Sequence, residues 1–473
     1  MLLAFIILYL LATLLIGWWA STKVHSTKDF VVAGRNLPMF VAACALFATW
    51  FGSETIMGAS SEFVEKGLIG VVEDPFGAAL CLVLVGAFFA RPLYRLNILT
   101  FNDFFRLRYS RAAEIISAIF MVPSYLGWIA AQMVAMSIIL SAIAGTTPLE
   151  GIIACTTVVV IYTYIGGMWA VSITDFIQTI MIIIGLLLVA YQVGSAAGGV
   201  GRVLDSTPDG FFHFLPEASF DGVIHYLAAW ITVGLGSIPQ QDVFQRVMSA
   251  RSAKTAAAAS YLSGFMYLTV GFIPLFIGLC GHILYPNEVH DGDTQMVIPF
   301  MVLEHSNIFL QIMFFGALLS AILSTTSGAV LAPATVIGEN MVRPFFNDIS
   351  DRWLLYTMRL AVVGVALTAA AIAAWNRNIY ELVAQSSALS LVSLFVPLTA
   401  GLYWKKASNT GALASIVIGM LVWILCEFVI LTRFPGIIWG GLASMGVMVL
   451  GSWLLPDQTY SRFREASANK LVE

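Results

Sequence analysis

At 473 residues, 59% of them apolar and only 11% charged, with a mean hydropathy of +0.89, the chain has too little polar surface to coat a water-soluble globule. The net charge of −4 and the scatter of its 23 basic residues in twos and threes leave no electrostatic footprint for nucleic acid. No long hydrophilic block interrupts the apolar runs, so the expected partner is the lipid bilayer and the chain reads as a single transmembrane domain over 1–473.

Taken in chain order, apolar runs of about 20 residues predict thirteen spanning helices, at 1–20, 38–61, 70–97, 112–145, 149–166, 171–196, 222–248, 255–284, 307–338, 354–375, 379–404, 409–432 and 436–455. The first run, Leu2 to Trp19, lacks the basic leader and small-residue cleavage site of a signal peptide and reads as a retained span. Cys44, Cys81, Cys155, Cys280 and Cys426 sit inside apolar runs without CxxC or His-rich spacing, so they read as small core residues rather than disulfide or zinc partners. An odd number of spans puts the termini on opposite sides. With the N-terminus outside, 18 of the 23 basic residues, Arg106, Arg108 and Arg111 among them, fall on the cytoplasmic side. That asymmetry, with Asp205, Asp209, Glu217, Asp221, Glu288, Asp291 and Asp293 gathered outside, predicts N-out, C-in in an inner membrane, with a short cytoplasmic tail over 456–473.

Inside lipid, irregular backbone persists only where protein buries it or it lines a wet cavity. Two spans carry small or Pro-containing interruptions at mid-length: Ala48-Thr49-Trp50-Phe51-Gly52-Ser53-Glu54 in the second and Gly234-Leu235-Gly236-Ser237-Ile238-Pro239-Gln240-Gln241 in the seventh. Their separation of five spans makes them cross in opposite directions, as two five-helix halves of inverted topology require: repeat one over 38–196, repeat two over 222–404, one leading helix, and trailing helices over 409–455. The plainer reading of either break is close helix packing at glycine.

The ninth span, Phe314-Phe315-Gly316-Ala317-Leu318-Leu319-Ser320-Ala321-Ile322-Leu323-Ser324-Thr325-Thr326-Ser327-Gly328, resembles the sodium/solute symporter family of sugar, proline, sialic acid and choline carriers. So do Gly166-Gly167-Met168-Trp169-Ala170-Val171-Ser172-Ile173-Thr174-Asp175-Phe176-Ile177-Gln178, Pro239-Gln240-Gln241-Asp242-Val243-Phe244-Gln245-Arg246 and Gly401-Leu402-Tyr403-Trp404-Lys405-Lys406. The resemblance runs over nearly the whole chain and implies an all-α inverted-repeat transporter with Na⁺ as the coupling ion, not an enzyme. By position it implies a principal sodium site on the carbonyls of Ala48, Phe51 and Ala321 and the hydroxyls of Ser324 and Thr325. Independently, 321, 324 and 325 share one helix face; a packing face whose hydroxyls bond their own backbone is the competing reading. A second sodium site in some relatives maps to Asp175 and Ser327, but Gly328 stands where those relatives have another Ser, so one sodium per cycle is expected and two is the alternative. Asp175 also reads as a helix-end dipole partner.

For the solute, the resemblance maps binding groups to Thr55, Asp74 and the stretch around Gly236 to Gln241, with Glu54 one residue before Thr55. Ionisable groups at membrane depth are functional candidates by default, although Glu73 and Asp74 before Pro75 also read as a helix start at the interface. The family branch most resembled is that of the choline carriers. Trp50 and Trp128 match two of its aromatic cage positions, whereas Gln240 replaces a third. A small amine-bearing solute such as an amino acid is therefore expected, with choline or another quaternary amine as the alternative. A passive channel would need rings of polar residues along a pore, which the sequence lacks. A sensor would need a signalling domain. Proton coupling through Glu54, Asp74 or Asp175 is the strongest rival to sodium.

Overall fold

The computed structural model describes residues 2–21, 32–98, 100–163, 168–286, 293–346, 350–461 and 463–464. Gly166 and Gly167 of the sixth-span motif, and the last residues expected for the fifth span, lie outside them. So do Glu288 and Asp291 of the exterior acidic set.

The described residues form helices in an order that follows the expected spans. α1 (Leu2–Ser21) leads. α2 (Met39–Trp50) and α3 (Ser53–Lys66) form a pair bent by 42°. α4 (Leu68–Arg95) follows, then the short amphipathic α5 (Phe101–Arg108), α6 (Arg111–Ala144), α7 (Pro148–Thr163) and α8 (Met168–Ala196). After α9 (Val200–Asp205), α10 (Phe220–Gly236) and α11 (Gln241–Ser249) form a second such pair, bent by 50°. α12 (Ala253–Leu284), α13 (Val297–His305), α14 (Ile308–Phe345), α15 (Asp351–Trp375), α16 (Ile379–Tyr403), α17 (Asn409–Val429) and α18 (Gly436–Leu454) complete the chain.

Among the described residues nine helices are long and apolar enough to cross a bilayer, and the two bent pairs raise this to eleven. α1 and α7 occupy the other two expected places, α7 with 16 residues. The outer faces are apolar: Leu15, Tyr191, Phe265, Phe309, Leu367 and Trp453 all stand exposed, as lipid-facing side chains must. The five cysteines are free, with Cys44, Cys81 and Cys280 buried.

Local sequence explains the ends and bends. Ser110 caps α6 by accepting from Ala113 N at 3.2 Å, and Gly145 closes that helix at φ 67°. Thr100 and Asp103 form a capping box on α5. In α4 the backbone leaves helical geometry at Asp74 (φ −143°, ψ 123°) immediately before Pro75, whose ring disfavours a helical residue ahead of it and removes a donor. This is the local basis of the alternative reading of Glu73-Asp74-Pro75 as a helix start, set inside α4 (Leu68–Arg95).

α2 packs on α8 and α12, α6 on α14 and α16, and α17 on α18. The entry to α2 and the exit from α11 are joined by backbone bonds from Leu37 N to Ser249 O and from Arg251 N to Leu37 O, both 3.0 Å. Fully buried Arg108 locks α5 to the far end of the chain: it donates to the carbonyls of Gly401 at 2.8 Å and Ala407 at 2.9 Å and to the hydroxyl of Thr459 at 3.0 Å.

Candidate functional site

The first break places two kinds of chemistry on adjacent turns. α2 makes its last helical bond from Phe51 N to Phe47 O, and the carbonyl of Ala48 accepts instead from the Thr325 hydroxyl of α14 at 3.2 Å. Gly52, at the bend, lies against Ile322, its Cβ direction 3.5 Å from the Ile322 side chain. The break thus sits on the face of α14 that carries Ala321, Ser324 and Thr325, all buried along with Ala48 and Phe51. Ser324 Oγ donates to Asp175 Oδ1 on α8 at 3.2 Å, and the Tyr162 hydroxyl of α7 reaches the same Ser324. Thr326 instead bonds its own backbone, to Ile322 O at 2.5 Å, so the packing reading holds for that residue.

Asp175 is fully buried, and its Oδ2 has no hydrogen-bond partner. Opposite it stands Arg246 of α11, also buried, donating to Ala45 O at 3.1 Å. A Cβ on Gly328 would lie 3.9 Å from an Arg246 guanidinium nitrogen. The guanidinium therefore flanks the place where the resemblance expects a further serine. Ser327 is buried beside it in sequence. Gln178, one turn beyond Asp175, donates to Ser320 of α14 at 2.6 Å.

Beyond the bend, Thr55 donates to Asp74 Oδ2 at 2.7 Å, joining α3 to the kink of α4. Glu54 is 2% exposed and Asp74 fully buried. Trp50 and Trp128 are buried as well, and the Trp128 indole nitrogen has no partner. Residues that the sequence did not single out complete this region. Tyr267 of α12 places its hydroxyl beside Thr55, Asp74 and Glu54, while its ring packs edge-on against Phe47 at 5.1 Å and Phe51 at 5.8 Å. Tyr125, three residues before Trp128 and so on its face of α6, donates to Asp242 Oδ1 at 2.7 Å.

At the second break the non-helical stretch runs from Ser237 to Gln240. A Cβ at Gly236 would lie 2.3 Å from the carbonyl oxygen of Ser387 in α16, so only glycine permits this approach, and Ser237 shares a 3.0 Å hydrogen bond with the Ser387 hydroxyl. Gln240 is buried at the start of α11. Gln241, expected among the solute groups, spends its Oε1 on Phe101 N of α5 at 2.6 Å and keeps a buried, unpartnered Nε2.

Against known proteins, a family model described as "Sodium:solute symporter family" matches residues 30–419. The "High-affinity choline transporter 1" of Drosophila melanogaster is 28% identical over 434 residues, 88% of this chain and 69% of that protein. The osmoregulated proline transporter OpuE of Bacillus subtilis is 29% identical over 488 residues, 97% of this chain and 95% of that one. Among solved structures, a substrate-bound outward-open Na⁺-coupled sialic acid symporter superposes with a TM-score of 0.81 at 18% identity, covering 97% of this chain and 98% of that one. The fold is the inverted-repeat transporter fold.

Proposed function

Because the chain belongs to the sodium:solute symporter family, and is thus a sodium-coupled solute symporter rather than an enzyme, we propose that it imports a small amine-bearing organic solute, an amino acid or related amine, by alternating access. It does so from a bacterial inner membrane through thirteen crossings, with the N-terminus outside. Its principal sodium site is formed by the carbonyls of Ala48, Phe51 and Ala321 and the hydroxyls of Ser324 and Thr325, an all-oxygen, uncharged shell suited to a hard monovalent cation.

The observation that carries this reading is the 3.2 Å bond from Thr325 to the Ala48 carbonyl. It holds a broken helix against α14 through the two kinds of oxygen that sodium takes. The same broken helix bears Glu54 and Thr55 one turn on, so ordering it for sodium favours solute, and reciprocally. The driving force is ample: ~2.3 kcal/mol for one charge through 100 mV and ~1.4 for a tenfold gradient give ~3.7 kcal/mol, or about 500-fold accumulation at one sodium per solute. One sodium per cycle follows from Gly328, which supplies no hydroxyl where the second site needs one.

Proton coupling is the second reading, favoured by the buried carboxylates of Glu54, Asp74 and Asp175. Uptake measured in sodium-free buffer across pH, with a panel of amino acids, amines, sugars and carboxylates, separates the two. The sodium reading requires uptake to vanish at every pH without sodium, and uptake that persists and follows the proton gradient replaces it.

A further inference from the structure

The sodium site leaves one group of buried polar atoms unused. Glu54 keeps Oε2 without a partner. Asp74 receives the Thr55 hydroxyl on one oxygen and leaves Oδ1 open. The fully buried Tyr267 hydroxyl lies near Thr55 and makes no hydrogen bond of full geometry. Three elements, α3, α4 and α12, thus each bring a buried polar atom without a hydrogen-bond partner to the neighbourhood of Thr55.

The surrounding charges do not neutralise it. Glu73 lies outward of Asp74, where Glu62 and Lys66 face it. Asp242, across from Glu54, takes the Tyr125 hydroxyl on Oδ1, keeps Oδ2 without a partner and is faced by Arg246, and Cys81 of α4 stands near both acids. Among the described residues, no lysine, arginine or histidine forms an ion pair with Glu54, Glu73 or Asp74.

Buried carboxylates without donors are costly, and positive charge with N–H groups is what satisfies them. A zwitterion would set its own carboxylate against Glu54 and Asp74, a like-charge contact that discriminates against it. A quaternary ammonium has no N–H to give the open oxygens. We infer that the solute is a short diamine, cationic at both ends and free of carboxylate, with one ammonium on Glu54 and the other on Asp74, and with Tyr267 as the accompanying hydroxyl. This rests on the symport reading and narrows its amine-bearing class.

The test uses the full-length protein in proteoliposomes with an inward sodium gradient and, in separate arms, radiolabelled 1,4-diaminobutane, proline or choline, each challenged with the unlabelled others and with diamines of other lengths. Sodium-driven accumulation that diamines suppress, and that proline and choline do not, supports the inference. Glu54→Gln and Asp74→Asn should each raise the half-saturating diamine concentration about 10- to 100-fold, the loss of one charge-assisted hydrogen bond. In the same variants sodium alone should still stabilise the solute-free protein against heat, which shows that they fold. Tyr267→Phe keeps the ring and should raise that concentration by a smaller factor, about 3- to 10-fold. Sodium-driven uptake of proline or choline that diamines do not suppress overturns the inference and leaves symport standing. Diamine binding that is indifferent to sodium upholds the solute class and counts against the coupling ion. No sodium-driven movement of any of the three overturns the inference, and sinks the symport reading as well only if the wider panel of amino acids, amines, sugars and carboxylates is equally inert.

Discussion

Ser324 donates a hydrogen bond from its hydroxyl to Asp175 across 3.2 Å, so the two positions assigned to separate sodium sites are joined. Donating that hydrogen bond leaves the lone pairs of Ser324 Oγ free for a cation. On this geometry Asp175 would act as a positioning residue for the proposed principal site. Asp175→Asn should raise the sodium concentration for half-maximal uptake by about 3- to 30-fold and leave the Hill coefficient for sodium near one. A coefficient that falls from two to one in the variant would assign Asp175 to a second ion instead.

Replacing Ser324 and Thr325 together with Ala removes both hydroxyls proposed for sodium and the tie from Thr325 to Ala48. Half-maximal sodium should rise about 10- to 100-fold, and solute affinity should fall only while sodium is limiting, as reciprocal linkage demands. An unchanged sodium dependence in uptake assays would move the ion elsewhere.

Gly236→Ala would bring a methyl group to 2.3 Å from the Ser387 carbonyl oxygen. Both partners are backbone-fixed, so the second break must shift away from α16. A cost of about 1–3 kcal/mol is expected, read as a lower melting temperature of the purified protein together with a reduced uptake rate. Gly364→Ala, at a position with open space around it, is the control and should melt as the wild type does.

Orientation can be read with single cysteines placed in a background lacking the five native ones. Position 106, half-exposed on α5, should react with a membrane-impermeant maleimide only after cells are opened, and position 210, exposed in the segment after α9, should react in intact cells. The reverse pattern would invert the topology.

Much of this architecture was legible in the sequence because its signals are local. Glycine beside Ser, Thr or Pro in the middle of an apolar run marked both bends, which fall at 51–52 and 237–240, and the spacing of 321, 324 and 325 marked the α14 face. The contacts that were not legible are those whose partners carry no pattern. Tyr267 sits in an apolar helix like any other aromatic, and only the fold brings its hydroxyl beside Asp74. Gln241 reads as a polar group near a cavity, while its carbonyl oxygen is taken by Phe101 N, 140 residues earlier. Arg246 is one basic residue among 23 in the sequence; its place opposite Asp175 depends on α11 packing against α2 and α14.

Arg108 also sets a schedule for the biosynthesis of the protein. Its partners at Gly401 and Thr459 lie 293 and 351 residues downstream. At ribosomal rates of about 5–20 residues per second, α5 waits roughly 20 to 70 s between its own synthesis and the arrival of the groups that bury its guanidinium. Throughout that interval the newborn chain carries the Arg108 guanidinium apart from its final partners and the open ring of Phe104, which later meets Phe463 at 6.2 Å. Quality control by membrane chaperones and proteases would act in that window, on a chain whose first repeat is already inserted and whose last link is still inside the ribosome.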